Sequence, residues 1–327
     1  MAQLQSISIT GPLNIGSTAN TGSAGNLWYN STTGKLNLSY CYIGGLWTAG
    51  GALSTARYSL AGAGTNTAAL AFGCRDSGAT EAYNGTSWSS GGNLIDIRNR
   101  LAGAGTQTAA LAFGGYSAQP SFSVVSCTEA YNGTSWSSAS SMILPRHFLA
   151  GAGTQTAALS FGGCAQNTAL LSTEAYNGTS WSSGGDMITR RYNLAGAGTQ
   201  TAALSFGGYS GQPSFSVLSC TEAYDGYSWS TGGAMITARQ SLAGVGTQTA
   251  ALVFGGYVPS TGVRSCTEIY NGTSWSSSGA LINARQCLAG AGTSMSALAF
   301  GGQTPSIGFL SCTEVFGTYN AMFVCEI

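Results

Sequence analysis

The sequence predicts an all-β protein whose fold is a six-bladed β-propeller. A phrase such as LAGAGTQTAALAFGG (101–115) occurs six times, with copies about 46 residues apart, and no segment sustains the 3.6-residue apolar period of a helix. Each copy contains four short runs of small, β-branched and aromatic residues that end at Gly, Asn or Ser. Four short strands in a repeat of this length are typical of a propeller blade.

Several residues keep fixed distances from the Leu that opens each copy. An Arg lies three residues before that Leu, a Phe lies twelve residues after it, and a Thr-Glu pair follows the Phe. The recurring charged residues are Arg57, Arg98, Arg146, Arg191, Arg239, Arg285, Glu81, Glu129, Glu174, Glu222, Glu268 and Glu314. Fixed distances indicate paired strands and tight turns, whereas the variable Phe-to-Glu distance is typical of a surface loop.

The two ends of the repeat array predict how the propeller closes. In the first five copies a Trp follows the Glu by seven residues and precedes the next Arg by ten, but no Trp follows Glu314 in the sixth. Trp47 precedes Arg57 by the same ten residues. We therefore expect the strand around Trp47 to complete the last blade, which would remove an exposed sheet edge.

The repeat resembles the kelch family. The resemblance is carried by Phe254-Gly255-Gly256, Glu268 with Tyr270, Trp275 and Arg285, and it covers residues 46–317. It implies four-stranded antiparallel blades arranged around an axis. The usual wordings of kelch loops are absent, so the chain looks like a divergent relative.

The recurring polar and aromatic residues have two interpretations. The Arg and Glu residues could form a ring that faces a ligand, or one structural pair per blade, and the second is favoured because ligand sites rarely occupy all copies of a repeat equally. The Trp residues could be sugar-stacking platforms, but their fixed place beside Ser favours packing between blades.

Composition excludes several classes of function. Charged residues make up 7% of the 327 residues, against roughly 25% in typical proteins, and the net charge is zero. A basic surface for nucleic acid is therefore not expected. No apolar run is long enough for a membrane span, and the first residues carry no secretory-signal pattern, so neither membrane insertion nor a signal peptide is expected.

Catalysis and cofactor binding are not expected either. The nine cysteines form no CxxC motif, and His147 is the single histidine, so no metal-ligand set is visible. Cysteines at equivalent positions of separate blades should lie too far apart to form disulfides. The acidic residues outside the repeat show no spacing of a catalytic pair, so we expect a protein that is not an enzyme and has no cofactor.

Residues 1–45 fall outside the repeat and are expected to form an extended arm and a β-hairpin, followed by a propeller domain over 46–327. The stretch GNLWYNSTTGKLNLSY (25–40) resembles segments of phage tail-fibre and other virion proteins. That resemblance implies a virion location without a signal peptide, with residues 1–45 attaching the protein to other virion proteins or to sister chains.

The loops of variable length are the candidate contact surface. They span 116–126, 165–172, 209–219, 257–265 and 303–311 and contain the aromatic residues Tyr116, Phe122, Tyr209, Phe215, Tyr257 and Phe309. Uncharged aromatic residues suit contact with a glycan or a protein, although they could equally fold back on their own blades. Two functions follow: a phage virion structural protein that contacts the host surface, or a free bacterial propeller that binds carbohydrate or protein.

Overall fold

The computed structural model describes residues 15–16, 27–30, 35–74, 76–117, 122–211 and 215–326. The chain divides into two compact units, one formed by residues 1–45 and 318–327 and the other by Leu46–Gly317. The sequence-based division into 1–45 and 46–327 stays a prediction, and the structure groups 318–327 with the N-terminal residues.

The larger unit repeats one antiparallel sheet, and strand order follows chain order in every copy but the last. The first strands are Ala61–Gly64, Ala102–Gly105, Ala150–Gly153, Ala195–Gly198, Ala243–Gly246 and Ala289–Gly292. The second strands are Ala69–Phe72, Ala110–Phe113, Ala158–Phe161, Ala203–Phe206, Ala251–Phe254 and Ser296–Phe300. The second strands from Ala69 to Phe254 are buried at every position, because neighbouring blades cover both of their faces.

The outer half of each sheet contains the Thr-Glu pair and the Trp. The third strands are Thr80–Tyr83, Thr128–Tyr131, Thr173–Tyr176, Thr221–Tyr224, Thr267–Tyr270 and Thr313–Glu326. The fourth strands are Trp88–Ser90, Trp136–Ala139, Trp181–Ser183, Trp229–Gly232, Trp275–Ser278 and, for the last sheet, Lys35–Gly50. The hairpin register pairs each Tyr with a Trp, as in Tyr131 opposite Trp136.

Shorter strands occur in the segments that connect these sheets. They are Arg98–Asn99, Tyr116–Ser117, Ser123–Val124, Cys164–Ala165, Thr168–Ala169, Tyr257–Val258, Gly262–Val263, Gln303–Thr304 and Gly308–Phe309. The loops of variable length therefore contain small two-stranded ribbons.

The hydrophobic core lies between adjacent sheets. One cluster joins Leu70 and Phe72 of the first repeat to Leu101 and Trp136 of the second, and the Trp136 indole N–H donates to Thr80 Oγ1 at 2.9 Å. The Phe72 and Trp136 rings lie 4.9 Å apart. Equivalent Phe–Trp contacts recur between the other sheets, so each Trp is a packing residue of the interface between blades.

Small residues let the first strands approach each other. A Cβ built on Gly103 would lie 2.6 Å from Phe72 Cζ and 2.8 Å from the Gly62 carbonyl oxygen, so any larger residue would force the two strands apart. The first strand of each repeat contacts the first strand of the next, and the one at Ala289–Gly292 contacts the one at Ala61–Gly64. These contacts form a closed cycle.

The strand around Trp47 completes the last sheet. Residues 46–50 lie beside the strand that starts at Thr313, and Thr48 Oγ1 donates to the Val315 carbonyl at 3.3 Å. Trp47 packs between Phe254 and Phe316 and donates its indole N–H to Thr267 Oγ1 at 3.0 Å. It thus makes the contacts that the missing sixth Trp would make.

In the smaller unit, Ile15–Gly16 pairs in parallel with Leu27–Asn30, which pairs in antiparallel register with Lys35–Leu38. This second pairing is the expected hairpin. In the described part of the chain no helix has the length and apolar character needed to cross a membrane.

Candidate ligand-binding face

Six buried ion pairs join the recurring Arg and Glu residues. In the fifth repeat the Arg239 guanidinium lies 2.6 Å from the Glu268 carboxylate, which also accepts the backbone N–H groups of Ile236 and Thr237 at 2.7 and 3.2 Å. The pairs are Arg57–Glu81, Arg98–Glu129, Arg146–Glu174, Arg191–Glu222, Arg239–Glu268 and Arg285–Glu314. Because both partners are buried, each pair fixes the segment that enters its blade rather than facing a ligand.

Two kinds of segment meet at one face of the larger unit. The entry segments run from the recurring Arg to the recurring Leu (57–60, 98–101, 146–149, 191–194, 239–242 and 285–288), and the loops join second to third strands. Backbone pairing joins them directly: Asn99 pairs with Tyr116, Tyr192 with Tyr209, and His147 with Cys164. We call this surface the variable face.

The name reflects how the copies differ. Within each entry segment the Arg and Leu are constant, but the two residues between them differ among most copies: Tyr58-Ser59, Asn99-Arg100, His147-Phe148, Tyr192-Asn193, Gln240-Ser241 and Gln286-Cys287. The opposite edge of the sheets holds the turns between first and second strands and between third and fourth strands. We call it the uniform face, because its turns repeat with few changes.

A ring of backbone hydrogen bonds surrounds the axis at the variable face. The second of the two variable residues, directly before the recurring Leu, has a positive φ in every copy, between 54° and 57°. Its N–H donates to the carbonyl of the corresponding residue in the preceding copy, at 2.8 or 2.9 Å, and the N–H of Ser59 donates to Cys287, which closes the ring. The side chains at these positions are therefore held in fixed directions while their identity is free to vary.

A pocket of about 440 Å³ lies on this face over the second repeat. It is lined by Tyr58, Asn99, Arg100, Tyr116, Phe122, Val124, His147, Gln166 and Asn167. Among these lining residues Arg100 is the one with a charged side chain at neutral pH. Aromatic rings, amides and one cation are side chains typical of ligand sites.

Arg100 is a half-buried cation without a carboxylate partner. The ion pairs among the described residues all belong to the buried Arg–Glu set, and Arg100 is in none of them. Its guanidinium carbon lies 4.4 Å from the centre of the Phe148 ring and 5.5 Å from that of Tyr116, and its Nε is buried without a hydrogen-bond partner among the described residues. The two rings hold the guanidinium in place by cation–π contact.

His147 forms part of the pocket wall as a neutral group. Burial and, second, the positive charge of Arg100 lower the pKa of its imidazole to about 4, although a backbone hydrogen bond with Cys164 opposes the shift. Its ring lies 5.8 Å from the Tyr116 ring and 4.8 Å from the Phe148 ring. At neutral pH His147 therefore adds no charge to the pocket.

The structure brings some of the sequence-predicted contact residues together. Tyr116 and Phe122 line the pocket, and Phe122 is 67% exposed. Phe309, 50% exposed, stacks on the pocket residue Tyr58 with ring centres 4.4 Å apart.

Three other predicted contact residues lie outside the pocket lining. Tyr209 contacts Phe215, which is 57% exposed, and Tyr192 of the adjacent entry segment. Tyr257 is half-buried and pairs through its backbone with Gln240. All three nevertheless belong to the variable face.

Loop length alone misses the residues of the entry segments. Tyr58, Asn99, Arg100 and His147 lie in segments of constant length, so a search for variable spacing passes over them. The signal that finds them is the alignment of the six copies, in which the two positions between a constant Arg and a constant Leu change while the flanking residues do not.

The described residues contain no cluster of three or more His, Cys, Asp and Glu side chains that could hold a metal ion. The seven cysteines whose side chains the structure describes are free. Burial raises the pKa of the Cys127 thiol to about 11, which makes it a poor nucleophile at neutral pH.

Neither a protein-family model nor a curated protein matches this chain. Among solved structures, the chain is similar to the structure of YjhT, with a TM-score of 0.71 over 84% of this chain and 99% of that one. The fold is a β-propeller. The arrangement fits the kelch-like type that the sequence predicts, and the all-β prediction is confirmed. At 12% identity the likeness shows the fold alone.

Proposed function

We propose that the protein is a non-enzymatic binding module that contacts its ligand through the variable face, and that it does so as a structural protein of a phage virion. The observation that carries the first part is the distribution of variation among the copies. A propeller with identical blades would meet every packing requirement, yet the residues that line the pocket differ from blade to blade. A propeller fold is compatible with a binding module.

The absence of catalysis is part of this proposal. The recurring carboxylates are buried in ion pairs with Arg, and the single histidine is buried with a pKa of about 4. These residues are poorly suited to act as a general base near neutral pH. The pocket residues can stack, donate hydrogen bonds and attract an anion, which is the chemistry of binding.

The virion location is supported by sequence. Residues 25–40 resemble segments of phage tail-fibre and other virion proteins, and a neutral chain rich in Gly, Ser and Thr suits a virion protein. In this proposal residues 1–45 attach the protein to other virion proteins or to sister chains, and the variable face contacts a glycan or protein of the host surface.

Binding of the full-length chain to a glycan array and to host-cell envelopes tests the first part. The wild-type protein is compared with Phe122→Ala on the variable face and with Thr179→Ala in a turn of the uniform face. We expect Phe122→Ala to weaken binding and Thr179→Ala to leave it unchanged. Equal effects of the two substitutions would contradict a binding role for the variable face.

Particle association tests the second part. Phage particles are separated on a density gradient and probed with an antibody against this chain. We expect the protein to sediment with the particles. Free protein that binds glycans but never sediments with particles would instead support a bacterial carbohydrate- or protein-binding propeller.

A further inference from the structure

We propose that the pocket over the second repeat binds the carboxylate of an acidic sugar, with Arg100 as the residue that recognises the negative charge. The inference rests on the proposed binding function and names the class of ligand for that face. The proposed function does not require a charged ligand, whereas this inference requires that the ligand carries an anionic group.

The geometry around Arg100 is the main argument for an anionic ligand. A guanidinium presents its N–H groups in a planar fork that matches a carboxylate, and such a group is usually paired when it is withdrawn from water. Arg100 is half-buried, stacks on Phe148 and Tyr116, and has no carboxylate partner among the described residues. By contrast, each of the six recurring Arg residues of this protein forms an ion pair with a buried Glu.

The electrostatics of the pocket favour the same occupant. Its described lining contains one cation and no carboxylate, and His147 is neutral at physiological pH. The Arg100 charge is therefore not neutralised within the pocket, and a ligand carboxylate would supply the missing partner. A neutral ligand would leave the positive charge of Arg100 without a carboxylate partner.

The rest of the lining suits the body of a sugar. Tyr58, Tyr116 and Phe122 offer aromatic faces on which a sugar ring can stack. Asn99 and Asn167 carry amides that can donate hydrogen bonds to hydroxyl groups and accept hydrogen bonds from them. A volume of about 440 Å³ lies within the range of small-molecule sites. A purely apolar acid would leave these amides without partners.

Saturation-transfer NMR on the full-length protein tests the inference. The probes are D-glucuronate and D-galacturonate, with D-glucose and D-galactose as neutral partners that differ in carrying a hydroxymethyl group instead of the carboxylate. We expect a signal from at least one uronate, and affinity for its neutral partner lower by about tenfold or more, as for the loss of a charged hydrogen bond.

Arg100→Asn removes the charge with little risk to the fold. Asn193 occupies the equivalent position in the fourth repeat with φ of 55°, against 57° for Arg100, so asparagine fits this backbone. Arg190→Asn is the matched control, because Arg190 is exposed and does not line the pocket. We expect the preference for the uronate to disappear in Arg100→Asn and to persist in Arg190→Asn.

Three results would overturn the inference: no signal from either uronate, equal affinity for acidic and neutral sugars, or an unchanged preference in Arg100→Asn. Each of these leaves the proposed function standing if Phe122→Ala still weakens binding on the glycan array. Loss of that effect would remove the proposed function itself, so the two failures are distinguishable.

Discussion

The uniform face and the variable face of this propeller are built on the same strands but obey different rules. On the uniform face, Gln155 of the third repeat donates its side-chain amide to the Ala110 and Tyr131 carbonyls of the second, at 3.0 and 2.6 Å. Gln107, Gln200 and Gln248 make the same two contacts between other repeats. On the variable face, the residues next to the axis are joined from copy to copy by a ring of backbone hydrogen bonds that recurs in all six copies.

This difference explains where variation is tolerated. A contact made by a side chain requires the same side chain in every copy, whereas the axial ring of N–H to carbonyl bonds requires a backbone conformation and no particular residue. Ser, Arg, Phe, Asn and Cys all occupy that ring with φ near 55°. The variable face can therefore change its chemistry without loss of its framework.

The largest effect is expected from a constant residue that lies beneath the variable face. Glu222→Ala removes the partner of the buried Arg191 guanidinium and the acceptor of the Ile188 and Thr189 backbone N–H groups. Breaking such a buried pair from one side costs about 3–5 kcal/mol of unfolding free energy, because the remaining charge has no partner. Urea denaturation followed by tryptophan fluorescence measures it.

Asp225→Asn is the control for Glu222→Ala. Asp225 is an exposed turn residue whose position is Asn in four other repeats, so the same loss of one negative charge should leave the denaturation midpoint unchanged. If Glu222→Ala were as stable as Asp225→Asn and lost ligand binding instead, the recurring pairs would be functional residues and the comparison of the two faces would fail.

An intermediate effect distinguishes the two faces directly. Gln155→Ala removes two hydrogen bonds to buried backbone carbonyls, and we expect a loss of about 1–3 kcal/mol in the free energy of unfolding with binding unchanged. Phe122→Ala removes a side chain that is 67% exposed, so stability should change little while binding weakens. Denaturation midpoints and glycan binding are measured on both variants.

The division between a structural uniform face and a binding variable face would be contradicted if the two substitutions exchanged their effects. If Gln155→Ala weakened binding at unchanged stability, the uniform face would carry the site. If Phe122→Ala destabilised the propeller as much as Gln155→Ala, the loops would be part of the packing of their own blades, which is the alternative that the sequence leaves open.

The sequence predicts most of this architecture because packing is periodic. Fixed distances to Phe72 and Trp136, and the ten-residue spacing from Trp47 to Arg57, encode contacts between sheets that the structure shows. The pocket could not be predicted in the same way. It depends on how the rings of Tyr116 and Phe148 hold Arg100, and the repeat spacing shows that Arg100 and Phe148 are equivalent positions but not that their side chains stack.

The smallest effect concerns pH. The pKa of His147 is about 4 in the folded protein, because burial and then the Arg100 charge disfavour the imidazolium, against an ordinary value near 6.5 in the unfolded chain. The unfolded chain therefore binds more protons between these values, and the stability that neutral His147 contributes is complete above pH 6.5 and is lost as the pH falls towards 4. We expect the urea midpoint to drop between pH 7 and pH 4.5.

His147→Gln separates this contribution from the titration of carboxylates, and it is compatible with the fold because Gln240 and Gln286 occupy the equivalent positions. The drop should be smaller in His147→Gln than in the wild type. It should be intermediate in Arg100→Asn, because that substitution removes the second cause of the pKa shift and leaves burial, the first, in place. Identical drops in all three proteins would mean that His147 titrates normally, and the pocket beside Arg100 would then gain a second positive charge at mildly acidic pH.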